Sequence, residues 1–157
     1  MANKVLLAVD NSRYSLKAVR YLIKTLKPDS VVTMLTVLPD PTAACGLDGP
    51  SLIPIFKKNV KTFCIIEDAK KSAMEGFMEE AKKRLVKAGF SPKNVSIRIR
   101  KKKVGIARDI LKEAKRGKYD TIVMGRRGLT GIKQFMAGSV TNKMFQFAQN
   151  VTLIVVE

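Results

Sequence analysis

Short apolar runs alternate along the chain with longer stretches whose apolar residues recur every three or four positions. Residues 5–9 (VLLAV) are continuously apolar, as a strand buried on both faces would be. The run ends in Asp10-Asn11-Ser12, where Asn11 or Ser12 can cap a helix by accepting a backbone N–H. Ala18, Val19, Leu22, Ile23 and Leu26 form an apolar stripe that predicts a helix over 13–26. Residues 31–38 (VVTMLTVL) read as a second strand. Residues 39–59 hold Pro39, Pro41, Pro50 and Pro54 with Gly46 and Gly49, lack a clear period, and read as a long loop. Leaving the carboxyl end of a central strand, this loop either folds over whatever binds there or is a surface insertion.

A long helix is expected from about 60 or 65 to 88. Ile66, Ala69, Ala73, Phe77, Ala81 and Leu85 keep a helical period, with Met74 and Met78 beside them as core. Gly89 suits the position just past its end. Residues 95–100 (VSIRIR) alternate, which places a strand with one wetter face at an edge of the sheet. The helix 106–116 turns Ile106, Ile110, Leu111 and Ala114 inward and is closed by Gly117. Residues 119–124 form a fourth strand, and Val140, Met144, Phe147 and Ala148 mark a helix over 140–148. Residues 151–156 (VTLIVV) form a fifth strand. Strands alternating with helices pair in parallel through right-handed crossovers. The expected fold is an α/β open doubly wound parallel five-stranded sheet with helices on both faces. The 157 residues fit one domain over 1–157 and fall far short of an eight-stranded barrel.

Composition narrows the chemistry. No apolar run approaches the roughly 20 residues of a membrane span. The start of the chain does not read as a signal peptide, so the cytoplasm is the expected location. Cys45 and Cys64 are isolated and lack metal-type spacing, and free thiols are expected in a reducing compartment. The chain contains no His, which excludes a His-based triad, a His general base and His-containing zinc sites. A net charge of +17 raises the expectation of polyanionic partners: nucleic acid, anionic membrane or phosphate-rich ligands. The plainer account is that Lys and Arg cover solvated helix faces. A nucleic-acid partner has no recognition motif or aromatic stacking platform to support it.

The candidate chemistry lies in residues 125–140, GRRGLTGIKQFMAGSV, with spacing Gly125-x2-Gly128-x9-Gly138-Ser139. A strand, a glycine loop and a hydroxyl residue at a helix start form the arrangement a phosphate needs. Glycine permits close approach and positive φ, and the helix start offers free N–H groups and a positive dipole end. A flexible surface loop is the alternative reading of the glycines. Neither Gly128 nor Gly131 is followed by Lys, so this is not a Walker A loop, and the spacing is not GxGxxG after a first strand. Ligands of such sheets bind beyond the carboxyl ends of the strands, where the winding reverses. If the first and fourth strands are neighbours there, Asp10, Val37, Gly105 and the glycine loop share one crevice. The Lys101–Lys103 run and Arg126-Arg127 then lie along the same sheet edge. Asp10 is a candidate to hold Mg²⁺ or to accept a hydrogen bond from ribose or base, or else it is an N-cap. Ser139 is a candidate donor to a terminal phosphate and a cap for its own helix.

The VLLAVDNS opening, the long helix after a variable loop, the IVMGRRG turn and the GSVTNKM helix start resemble universal stress proteins of the ATP-binding kind. The likeness runs over essentially the whole chain. It implies strand order 3-2-1-4-5, an ATP crevice and a homodimer through the last strand. It also implies that Val37 contacts adenine and that Gly125, Gly128, Gly138, Ser139 and Val140 surround ribose and phosphates. The family often has Ser where this chain has Arg126, so a side-chain contact there is not carried over. The candidate nucleotide-binding set is Asp10, Val37, Met124, Gly125, Arg127, Gly128, Gly138, Ser139 and Val140, with Asp10 a candidate Mg²⁺ ligand. The apolar run at 151–156 would be an exposed sheet edge, which independently invites pairing with a second copy. No side chain stands out as a base for activating water, so ATP turnover is expected to be slow or absent. The alternative function is a nucleic-acid- or polyanion-binding module that uses the basic surface.

Overall fold

The computed structural model describes residues 3–38, 54–126 and 138–157, and of residues 54–61 the backbone only. Five parallel strands form one sheet: β1 (Lys4–Ala8), β2 (Val31–Leu38), β3 (Val95–Lys101), β4 (Thr121–Gly125) and β5 (Thr152–Val156). Their order is β3-β2-β1-β4-β5, as expected. The helices described are α1 (Arg13–Thr25), α2 (Pro54–Lys87), α3 (Ile106–Gly117) and α4 (Ser139–Phe147). The winding reverses between β1 and β4, since β1 pairs with β2 on one side and β4 on the other. Ala8 at its end aligns with Leu35 and with Met124.

Alternation along the strands sends two sets of side chains to opposite faces. Val5, Leu7, Val9, Val32, Met34 and Val123 pack with α1 and α2 through Ala18, Val19, Leu22, Met74, Met78, Ala81 and Leu85. Leu6, Ala8, Leu35, Val37, Ile122 and Met124 pack with α3 and α4 through Ala107, Ile110, Ala114 and Met144. Central strands buried on both faces are why these runs are continuously apolar rather than alternating.

Several boundaries differ from the expectation. Helix α2 starts at Pro54, inside the stretch read as loop, and proline suits a first helical position. At 34 residues it is about 51 Å long, whereas eight-residue β2 spans about 26 Å. The helix therefore overhangs the sheet. Ile66 is 47% exposed, and burial is concentrated in Met74, Met78, Ala81 and Leu85. Its end closes as expected: Gly89 takes φ 102°, Phe90 N–H bonds Leu85 C=O at 3.2 Å and Gly89 N–H bonds Val86 C=O at 3.0 Å. At the end of α3 the left-handed residue is Lys118 (φ 51°), not Gly117. Gly117 is instead required by space, because a Cβ there would lie 2.1 Å from the Tyr119 ring. Ile106 and Phe147, expected inward, are 37% and 47% exposed. Cys64 is disulfide-bonded, against the expectation of a free thiol, and Cys45 lies outside the described residues. Among the described residues no helix is long and apolar enough to cross a membrane.

Candidate functional site

At the carboxyl end of β1 the chain turns into α1 through Asp10-Asn11-Ser12. Ser12 is the N-cap, its Oγ accepting Ser15 N–H at 3.2 Å. Asp10 is therefore not the cap. It is held instead by Ser15, whose hydroxyl accepts Asp10 N–H at 2.8 Å and donates to Asp10 Oδ1 at 2.7 Å. Ser15 is buried at the foot of α1, so the half-buried carboxylate is fixed from one side only. Its second oxygen has no hydrogen bond among the described residues. Sequence reasoning missed Ser15. The available signal was a polar residue on the apolar side of a predicted helix, three positions before Ala18.

The strands supply an apolar floor beside it. Val37 and Met124, both buried, share a face and a packed cluster with Ala8 and Ala107. Val9 N–H bonds Leu35 C=O at 2.9 Å, so β2 runs two residues past β1 before Val37 is reached. On the opposite side of β1, Gly125 ends β4 in register with Val156. Gly125 does not take positive φ. A Cβ on it would come within 2.6 Å of Tyr14 Cβ and 2.8 Å of the Tyr14 carbonyl carbon. Close approach is thus the reason for this glycine, but the partner in contact is the first turn of α1.

Beyond Gly125 the chain leaves for residues 127–137 and returns at Gly138. The two ends are tied together. Gly138 N–H donates to Arg126 C=O at 3.1 Å, the Thr141 hydroxyl donates to the same oxygen at 3.0 Å, and Arg126 N–H donates to Val156 C=O at 2.8 Å. Thr141, buried and outside the predicted set, is a further residue that sequence reasoning missed. Its signal was a hydroxyl in the first turn of a helix after Gly-Ser. Gly138 with φ −58° is the N-cap of α4 and Ser139 its first residue, so Ser139 does not cap the helix as expected. No side chain caps α4, and the amides of Ser139, Val140 and Thr141 have no partner among the described residues. Ser139 is exposed and Val140 half-buried. Among the described residues, the uncapped start of this nine-residue helix leaves a positive dipole end that suits an anion. Arg127 and Gly128 lie outside the described residues.

Lys101–Lys103 and Arg126 lie at the carboxyl edge of the sheet as expected, but on strands set apart in the order. Arg126 NH1 pairs with Glu157 Oε1. Lys101, Lys102 and Lys103 follow β3 at the outer edge, two strands from β1. Between them and the crevice, Gly105 starts α3 without a side-chain cap. Asp109 folds back instead, accepting N–H bonds from Lys103 at 2.7 Å, Val104 at 3.3 Å and Gly105 at 3.4 Å. Burial pushes the Asp109 carboxyl up, but these amides and the Lys112 charge outweigh it and hold it below its ordinary 3.8. The described residues contain no cluster of three or more metal-type side chains. A single carboxylate such as Asp10 fits Mg²⁺ only if phosphate oxygens and water complete the shell.

The model of the universal stress protein family matches residues 1–155. The chain belongs to the universal stress protein family. Universal stress protein YxiE of Bacillus subtilis is 28% identical over 158 residues, covering 99% of each chain. Among solved structures, hypothetical protein MJ0577 is 28% identical with a TM-score of 0.68, over 99% of this chain and 96% of that one. A universal stress family protein of Arabidopsis thaliana with AMP bound shares the fold at 16% identity and TM-score 0.63, over 98% and 90%. Two more universal stress proteins of this fold, 14% and 16% identical (TM-scores 0.62 and 0.64), are complexes with dAMP and cAMP.

Proposed function

We propose that this universal stress protein binds ATP at the carboxyl ends of β1 and β4 and acts as a regulatory stress-response protein in the cytoplasm. The observation that carries the reading is the uncapped start of α4 beside the tied Arg126–Gly138 neck, on the strand next to β1 and Asp10. The phosphates receive the amides of Ser139, Val140 and Thr141 together with the Ser139 hydroxyl. Gly125, Arg127, Gly128 and Gly138 belong to the same cradle. Adenine lies on Val37 and Met124. The Asp10 carboxylate, oriented by Ser15, accepts from the ribose or joins Mg²⁺ held by the phosphates. Relatives of this fold with AMP, dAMP or cAMP bound support an adenine nucleotide as the ligand. Hydrolysis is slow or absent, because the chain has no histidine and no other side chain stands out as a base for activating water.

The protein further forms a homodimer through β5. That strand is an edge, its Leu153, Ile154, Val155 and Val156 are half-buried, and Phe145 on the neighbouring α4 is 60% exposed. Titration calorimetry with ATP, ADP and AMP, with and without Mg²⁺, tests the site. Binding that weakens in Asp10→Asn is expected, and absence of binding by all three nucleotides refutes the proposal. Light scattering tests the dimer, and a monomer at micromolar concentration would refute it.

A further inference from the structure

The +17 charge is not spread evenly. Residues 98–118 carry ten Lys or Arg against two acids, a surplus of eight within β3, α3 and the turn between them. Both acids are committed. Asp109 accepts the backbone amides of Lys103, Val104 and Gly105. Glu113, only 6% exposed, receives three guanidiniums: Arg98 NH1, Arg116 NH2 at 2.7 Å and Arg100 Nε at 3.7 Å. Burial pushes the Glu113 carboxyl up, yet the arginine hydrogen bonds and charges hold it below its ordinary 4.5, so it stays ionised.

One buried carboxylate therefore orients three arginines and leaves two positive charges unbalanced. The arginine side chains remain 40%, 47% and 63% exposed, and each has N–H donors beyond those spent on Glu113. A guanidinium fixed by one partner with its remaining donors outward is preorganised for phosphate oxygens. Arg98 and Arg100 stand two residues apart on one face of an edge strand, about 6.5 Å along it. The exposed Arg108, Lys112 and Lys115 continue the charge along α3, whose twelve residues cover about 18 Å.

We propose that this β3–α3 wing binds double-stranded nucleic acid through its phosphate backbone, without reading base sequence. The charge forms a band over a strand and a helix, not a single loop. The wing's exposed large apolar side chains, Val104 (53%) and Ile106 (37%), are confined to the turn into α3, and residues 107–118 show none that could insert into a bilayer. Nor does that stretch offer a stacking platform for unpaired bases. The nearest exposed ring, Phe147, lies under Arg108 at 5.7 Å. Cations spread along a strand and a helix, with apolar exposure confined to one turn and no stacking platform, fit a duplex backbone.

The test is fluorescence anisotropy of the full chain with labelled DNA duplexes of about two turns, of unrelated sequences, titrated between about 50 and 200 mM salt. Equal affinity for all sequences and a steep salt slope are expected. Lys102→Ala/Lys112→Ala/Lys115→Ala removes charges not tied to Glu113, so it keeps the fold. It should weaken binding about tenfold and flatten the slope by about 2 to 3. Lys24→Ala/Lys27→Ala/Lys83→Ala removes equal charge on the α1–α2 side and should change the slope by less than about 1. Equal losses in both variants, capture by phosphatidylserine vesicles in place of the duplex, or no binding at the lowest salt would each overturn the proposal. Calorimetry with ATP on the same variants reads the crevice separately.

Discussion

Two strand-to-helix turns leave the same end of the sheet side by side, and they are built differently. At β1–α1 the local polar groups hold one another: Ser12 caps the helix, while Ser15 holds the amide and one carboxylate oxygen of Asp10. At β4–α4 the neck is tied by Arg126, Gly138 and Thr141, but the helix start beyond it has no cap. The first helix start is capped by its own serine, whereas the second, among the described residues, has amide donors left over. Exposed helix starts are ordinarily capped by a side chain or by water. An uncapped start next to a side-chain-capped one is the contrast on which the proposed ligand site rests.

The contrast depends on the contact that joins the two turns, and breaking it should have the largest effect. Gly125→Ala places a Cβ 2.6 Å from Tyr14 Cβ and 2.8 Å from its carbonyl carbon, where backbone must move. A loss of about 3 kcal/mol is expected, lowering Tm by about 6–12 °C for a chain of this size. Differential scanning calorimetry would show it, and an unchanged Tm would mean the two turns do not bear on each other. Ser15→Ala should come next. It strips a buried hydrogen-bond partner from the Asp10 carboxylate, costing about 2 kcal/mol by urea unfolding, and it should also weaken ATP binding. Ser12→Ala removes a cap and nothing that faces ligand, so it should cost about 1 kcal/mol with ATP affinity unchanged.

That separation also shows what could be read from the chain. The strands were legible because β1, β2 and β4 are buried on both faces and their runs are unbroken. Ser12 was legible because capping is local chemistry. The seam of α2 was misplaced because periodicity finds a stripe but not the length of sheet beneath it. Met78 is fully buried, while Ile66, in phase with the predicted stripe, overhangs the sheet. Glycine spacing singled out the turn after β4 but could not show the close contact of Gly125 with Tyr14, which is over a hundred residues away. Ser15 and Thr141 were not legible for a related cause. Their partners, Asp10 and the Arg126 carbonyl, meet them only once the turns are folded. That Lys101–Lys103 stand two strands from β1, beside α3, likewise required the strand order.

The start of α3 is an intermediate case that acid can open. Its Gly105 has no side-chain cap, yet Asp109 covers the amides of Lys103, Val104 and Gly105. Since the folded carboxyl is held below its ordinary 3.8, its contribution to stability is complete above that value and disappears as pH falls through the folded pKa. Glu113, depressed from 4.5, acts in the same direction. Stability should therefore be flat from neutrality down to about pH 5 and fall below it. Amide exchange at Lys103 and Val104 should rise in Asp109→Asn at neutral pH. Protection equal to wild type would show that Asp109 does not close this turn.

The smallest expected change in stability separates the two turns most directly. Ser139 is the first residue of α4, exposed, and without a capping role. A carboxylate placed there by Ser139→Asp lies at the positive end of an unshielded dipole, and should stabilise the nucleotide-free protein by about 0.5 kcal/mol. The same charge occupies the region assigned to phosphate and repels it. ATP affinity should therefore fall while the apo Tm rises slightly, a pairing that a merely exposed helix end would not produce. At α1 there is no equivalent gain, because Ser12 already supplies the acceptor. If Ser139→Asp left ATP binding intact by calorimetry, the open amides of α4 would be no more than a solvated helix end.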